Sequence, residues 1–357
     1  MKVIFLPFDG LNPYQAELAR ALAAIQVNVL PAPVHRWLAL ASLLWRFKGT
    51  RIIHLHWLSG FLIKSSVAKS VCWSTLFCLE ALVVKLAGGK LVWTVHNLLE
   101  HERRHAKIEL FFLKRLVPML DHIFVHSAYA RETVMCRLRL HDSSKISIIP
   151  HGHYIDVYPN TVTREDAREI LEIPPSAPVF LFFGQIREYK GLTDLLTAFR
   201  DPALREAILL VAGHPQSSRL AEDLRSMASG CTNIKLSLDF VPAEEVQLFM
   251  NAADHVVFPY RDIFTSGSVL LAMSFGRKLI VPNVPSLAEI IAGMDGRAFD
   301  PDDFEGLRSA LLVALREDRY LGGERSLAYA VDCGWEKIAD RTSQVYWQLQ
   351  PDRRSPE

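Results

Sequence analysis

The feature that most limits what this chain can fold into is an alternation of short, unbroken apolar runs with stretches of helical period. KVIFLPF, VNVLP, RIIHLHW, KLVWTVH, HIFVHS and KISIIP recur through the first half, and PVFLFFG, AILLVAG, NIKLSL, HVVFP and KLIVP through the second. Between them lie helical patterns such as Tyr14 to Ala24, Trp37 to Phe47, Ser66 to Leu86, Ile108 to Leu120, Arg131 to Leu138, and those starting at Leu192, Ala243 and Leu287. A strand covered on both faces reads as a continuous apolar run, so the alternation predicts parallel sheets with helices on each side. Two such series predict an α/β chain of two Rossmann-like, doubly wound domains facing a cleft, with ligands at the carboxyl ends of the strands. Tyr154 to Thr163, with Pro159, Asn160 and little periodicity, reads as the linker, and the tail PDRRSPE reads as frayed.

Charge is split between the halves. Met1 to Pro150 carries 19 Lys+Arg against 9 Asp+Glu, and the remainder 21 against 30, within a net charge of +1. The five cysteines, Cys72, Cys78, Cys136, Cys231 and Cys333, are odd in number and widely spaced, which points to reduced thiols and a cytoplasmic protein. The N-terminus enters a strand directly and shows no signal-peptide pattern. Ser66 to Leu86 is apolar enough to suggest a membrane span, but Lys69, Glu80 and Lys85 interrupt it, so a helix at a surface is expected.

Two turns in the second half suit an anion. Thr265-Ser266-Gly267-Ser268 opens the apolar stretch Val269 to Phe275, where free N–H groups and the positive helix end would converge. Taken alone, Ser266 is equally well read as an N-cap. The run PVFLFF breaks at Gly184-Gln185-Ile186-Arg187-Glu188-Tyr189-Lys190-Gly191 before a second helical pattern, which sets Arg187 and Lys190 beside a glycine turn. Two anion-ready helix starts with two cations read together as a clamp on a diphosphate.

In the first half, Asn12 and Pro13 are sufficient as helix-start chemistry, with Tyr14 and Gln15 expected to face the cleft. His54 and His56 lie two apart on one strand and share a face, a pattern commoner for hydrogen-bonded histidines than for metal ligands. His96 ends its strand, where ligands are met. His101-Glu102-Arg103-Arg104-His105 fits the H-E-x-x-H zinc-protease pattern, yet it follows a strand of a Rossmann-like unit, contains two arginines and has no evident third ligand. Asp300-Pro301-Asp302 reads as helix-start chemistry, so no metal is expected at either place.

With FFGQIREYKG, HVVFPYRD, the Gly/Ser turn and LLAMSFGRKLIVPN in their order, and with TVHN, VHSAYARE, IIPHGHY and WEKIADRTSQVY elsewhere, the chain resembles GT-B glycosyltransferases close to family 4 (glycosyl transferases group 1). The resemblance implies an acceptor-binding domain over 1–155, a nucleotide-sugar domain over 164–334, and a final helix, 335–357, that crosses back to the first domain. It implies a metal-independent transferase without cofactor, taking a UDP-, GDP- or other nucleotide-diphosphate sugar. It places Gly184, Gln185, Arg187, Lys190, Asp262, Thr265, Ser266, Gly267, Ser268 and Glu289 around the donor, and Asn12, Tyr14, Gln15 and His56 on the acceptor side. His96 falls beside the donor sugar, Glu100 or Glu102 could take the acceptor proton, and His151 with Gly152 marks the domain junction. Two departures stand out: Ile263 and Leu271 occupy the positions of the family's Glu-x7-Glu pair, and Gln185 replaces its usual arginine.

The expected function is sugar transfer to a glycan or polyprenyl-linked glycan in cell-surface polysaccharide synthesis, at the inner face of an anionic membrane and with no nucleic-acid partner. The missing glutamates motivate the alternatives of an epimerase or hydrolase on the same fold, or a nucleotide-sugar-binding pseudo-enzyme.

Overall fold

A computed structural model describes the chain except for residues 11, 33–37, 101, 103, 304, 319–321 and 351–357. The described residues form two compact units, one comprising Met1–Gly152 together with the stretch from Gly334, the other His153–Cys333. The first holds a six-stranded sheet of β1 (Lys2–Leu6), β2 (Asn28–Pro31), β3 (Ile52–Leu55), β4 (Lys90–Thr94), β5 (His122–Val125) and β6 (Ile146–Ile148). The second holds β7 (Val179–Phe183), β8 (Ile208–Ala212), β9 (Ile234–Ser237), β10 (His255–Val257), β11 (Lys278–Pro282) and β12 (Gly296–Phe299). Every pairing is parallel, in the orders β2-β1-β3-β4-β5-β6 and β12-β11-β10-β7-β8-β9.

These orders locate the ligand sites. In each sheet the chain winds outward in one direction and then returns to wind in the other, and the loops at that reversal splay apart. The reversal lies between β1 and β3 in the first unit and between β7 and β10 in the second. Val179 to Phe183 is buried throughout, as a strand sandwiched by helices must be. Asn12, Ser66, Thr163 and Ser266 each cap a helix by accepting a backbone N–H.

Several expectations need correction. Tyr154–Thr163 is no free linker. Tyr154 lies in the second unit's core and its N–H donates to Ser274 Oγ, while Gln247 Oε1 accepts from the N–H groups of Thr161 and Val162. The following helix, Arg164–Ile170, sends the buried Arg168 to the carbonyls of Ala252, Pro175 and Ala177 and to Asp254, which also accepts from Val179 N–H. No periodic signal announces this brace, because its partners are distant in sequence. The helix expected from Trp37 spans Ala41–Arg46, and β12, missed in the sequence, completes the second sheet. Helix Trp335–Gln348 packs with Leu18, Leu22 and Phe5 of the first unit. An added Cβ on Gly152 would lie 2.3 Å from the Trp335 ring, so this glycine serves close packing.

Candidate functional site

In the second unit, the loops after β7 and β10 are tied to each other. Gly191, at φ +66°, sits where a Cβ would fall 1.9 Å from the Pro259 carbonyl oxygen. Arg261 N–H donates to Tyr189 O at 3.0 Å, and the Arg261 guanidinium pairs with Asp194. Gly184, at φ +118°, leaves an opening: a Cβ there would lie 2.9 Å from Ser268 Oγ and 3.7 Å from Lys190 Nζ. A hydroxyl and an ammonium therefore converge on bare backbone at the N-terminus of helix Gly267–Ser274. Ser266 caps that helix through Val269 N–H, so capping and anion readiness coexist.

Lys190 is 9% exposed, and burial followed by the Arg187 charge lowers its pKa to about 8. Its Nζ sits 5.5 Å from the Tyr260 ring centre. Tyr260 was not singled out in the sequence. Its buried hydroxyl makes no close hydrogen bond, although Ser266 and Ser268 lie near enough to act on it, and burial raises its pKa. A buried donor of this kind suits an anionic oxygen supplied from outside the chain. Only its position three residues past β10 could have flagged it.

The remaining donor-side candidates sit further out. Arg187 is half-buried and donates to Gln185 Oε1, whereas Gln185, Asp262 and Glu289 are exposed. Thr265 and Gly267 flank the turn. Leu271 is buried and Ile263 packs against the core, so both positions that lack glutamates are apolar in fact as well as in sequence.

The first unit collects imidazoles at its strand ends. His54 and His56 face the same side, with ring centres 4.4 Å apart, and His96 lies between His56 and His126. Tyr14 packs edge-on against His96 at 4.7 Å, and its hydroxyl meets Thr94. Burial comes first and neighbouring imidazoles second in lowering His54, His56 and His96 well below the usual histidine range and His126 to about 3.

Two acceptor-side expectations are corrected here. Gln15 is fully buried, its amide donating to Pro7 O and accepting from Asp9 N–H, so it braces the loop after β1. Tyr14 is likewise interior, and Asn12 Oδ1 is engaged by Tyr14 N–H. Glu100 and Glu102 pair with Arg104. Their charge is met there, which weakens a role as proton acceptors. Within HERRH, His101 and Arg103 lie outside the described residues, and among the described residues no group of three or more His, Cys, Asp or Glu is placed to hold a metal. Asp300 accepts from Asp302 N–H in a local turn.

Residues 177–317 match the family described as Glycosyl transferases group 1. The chain is 27% identical, over 80% of its length and 73% of the relative's, to GDP-mannose:glycolipid 4-beta-D-mannosyltransferase of Xanthomonas campestris. Its fold is similar to that of sucrose-phosphate synthase from Thermosynechococcus elongatus, with TM-score 0.73 and 19% identity over 99% of both chains. It is also similar to Anabaena HepE in complex with UDP and glucose, with TM-score 0.72 and 15% identity over 98% of this chain and 100% of that one.

Proposed function

We propose that this chain of the GT-B fold, whose residues 177–317 match glycosyl transferases group 1, is a glycosyltransferase that moves a sugar from a GDP- or UDP-sugar to a glycan or polyprenyl-linked glycan at an anionic membrane surface. The observation that carries this reading is the convergence of Lys190 Nζ, Ser268 Oγ and a helix N-terminus on the bare backbone of Gly184. When the bond from anomeric carbon to phosphate breaks, charge accumulates on the leaving diphosphate. Donors already fixed around it stabilise that charge without reorganising. Lys190 and Arg187 supply the positive charge, so the proposed reaction needs no metal. A donor that is a GDP- or UDP-sugar is supported by the relative that takes GDP-mannose and by the similar structure that holds UDP.

The membrane part of the proposal rests on helix Val67–Leu86. It is long and apolar enough to cross a membrane, yet Ser74 donates to Leu62 O and Glu80 accepts from the N–H groups of Leu40 and Ala41, which tie it into the unit. Phe77 and Phe112 are buried core residues. The outward face instead carries Val71, Leu79, Leu82 and Leu86, with Trp45 80% exposed on the helix that Glu80 caps and Phe111 exposed nearby in sequence to Lys107, Lys114 and Arg115. Apolar side chains edged by cations fit an anionic lipid surface.

Thermal unfolding in the presence of GDP-mannose, UDP-glucose and other nucleotide sugars tests the donor reading, followed by product analysis with a polyprenyl-linked glycan. A ligand bound only by the folded state raises the melting temperature with its concentration. No shift with any nucleotide sugar, and no product, would overturn the proposal.

A further inference from the structure

Trp57 follows β3 by two residues. Leu6 pairs with Leu55 and Leu55 with Trp93, so Trp57 stands at the carboxyl ends of β1, β3 and β4, on the reversal in the first unit's strand order. Its indole lies on the His96 imidazole, with ring centres 4.3 Å and planes 15° apart, and beside His56 at 5.7 Å. His96 is held at both ring nitrogens, by His56 Nδ1 at 3.0 Å and by His126 Nε2 at 3.4 Å. His56, expected on the acceptor side, is fully buried and forms the bed of this stack, not a surface that a ligand meets.

Exposure rises outward along the stack. His56, His96 and His126 are buried, whereas Trp57 is half-buried and its indole N–H makes no hydrogen bond among the described residues. The ground beside it is open. Gly60 and Gly10, on the segments that follow β3 and β1, are both exposed; a Cβ added to Gly60 would meet nothing within 4 Å, and one on Gly10 only the Phe8 ring at 4.0 Å. The exposed Asp9 and the half-buried Asn97 put a carboxylate and an amide at the neighbouring strand ends.

This combination selects a ligand class. The face of an indole carries negative charge density, and the C–H bonds of a pyranose, polarised by the ring and hydroxyl oxygens, present the opposite sign. A purely apolar ligand would leave the indole N–H and the carboxylate unmet, whereas a sugar brings both a C–H face and hydroxyls. We propose that Trp57 is the stacking platform for a pyranose ring of the acceptor glycan, bound within the first unit with its C–H face on the indole and its hydroxyls toward the indole N–H, Asp9 and Asn97. The acceptor role rests on the transferase reading above. Because the imidazoles beneath already fix the ring, binding costs little side-chain freedom.

Two measurements test the platform. The full-length protein labelled at its tryptophan nitrogens gives one indole signal per ring, and those lost in Trp57→Phe and Trp45→Ala identify the two. Methyl β-D-glucopyranoside, whose all-equatorial ring presents C–H bonds on both faces, should move the Trp57 signal saturably and leave that of Trp45, which is 80% exposed, in place. A Trp57 signal that stays still, or moves no more than that of Trp45, would overturn the proposal. In transfer assays with a polyprenyl-linked glycan, Trp57→Ala should raise the acceptor KM about tenfold and Trp57→Phe no more than about threefold, with kcat and the donor KM within about twofold of wild type. An unchanged acceptor KM in Trp57→Ala, or a donor KM that rises with it, would overturn the acceptor role. No transfer by the wild type alongside a saturable Trp57 shift would overturn the transferase reading and leave a sugar-binding platform.

Discussion

The hydroxyl of Tyr346 lies 2.5 Å from His54 Nδ1, a bond between residues 292 positions apart. It joins the last helix to β3, and His54 Nε2 continues it to Thr94 Oγ1 at 2.6 Å on β4. Tyr346→Phe keeps the ring and removes the hydroxyl, leaving a buried imidazole nitrogen without its partner. A loss of about 1–3 kcal/mol in unfolding free energy is expected, measured by urea denaturation. A variant as stable as the wild type would remove this bond from the account of how the helix is held.

The buried histidines predict acid sensitivity. Their folded pKa values are depressed, to about 4 for His122 and His151, about 3 for His126, and well below the usual range for His54, His56 and His96. Unfolded, each takes up a proton near pH 6.5. The unfolded chain therefore binds more protons below that pH, and the stability present above it is lost as pH falls toward 4. With two or more such groups the slope should reach about 3 kcal/mol per pH unit below pH 6. Equilibrium denaturation from pH 7.5 to 4.5 measures it, and a flat profile would contradict the burial of these rings as neutral species.

Donor binding should depend on Lys190 and on its charge. Lys190→Ala removes a charge-assisted contact and should weaken binding of a nucleoside diphosphate by roughly tenfold to a hundredfold. Because the folded pKa is about 8, wild-type affinity should fall as pH rises from 7 to 9, and the variant's should not. Calorimetric titration at the two pH values distinguishes this from a general loss of structure.

Two glycines at positive φ differ in whether they touch the anion site. Gly184→Ala strains the backbone at φ +118° and also places a Cβ against Ser268 Oγ and Lys190 Nζ, so affinity for the nucleotide should drop along with stability. Gly191→Ala drives a Cβ into the Pro259 carbonyl, rigid backbone at a positive φ, and should cost the fold at least about 2 kcal/mol. Melting temperature and nucleotide affinity measured on both variants would show whether the two roles divide this way.

Membrane docking is checked with vesicles. Counted over the compact units, the first carries 23 Lys+Arg against 13 Asp+Glu and the second 17 against 26, so an anionic surface should attract the first. Co-sedimentation should rise with anionic lipid and fall with salt, and Trp45→Ala with Leu86→Ser should reduce it severalfold. No sedimentation at low salt would refute docking.

Sequence alone determined the elements and their class. Runs such as Val179–Phe183 are apolar on both faces, and only a parallel sheet covered by helices buries both, so periodicity was sufficient to read the strands other than β12, whose first three residues are exposed, and the turns at Gly184 and Ser266. Local chemistry was legible for the same reason: Asn12 caps a helix through a neighbour two residues away. Tertiary structure decided what each polar side chain does, because that depends on partners far along the chain. Gln15 looked available and is locked between Pro7 and Asp9; Tyr154 to Thr163 looked loose and is pinned by Ser274 and Gln247. Tyr260 looked ordinary until its hydroxyl was found buried beside Ser266 and Ser268. The histidines of β3, β4 and β5 are separate letters in the sequence, and the strand order alone brings them within hydrogen-bonding distance.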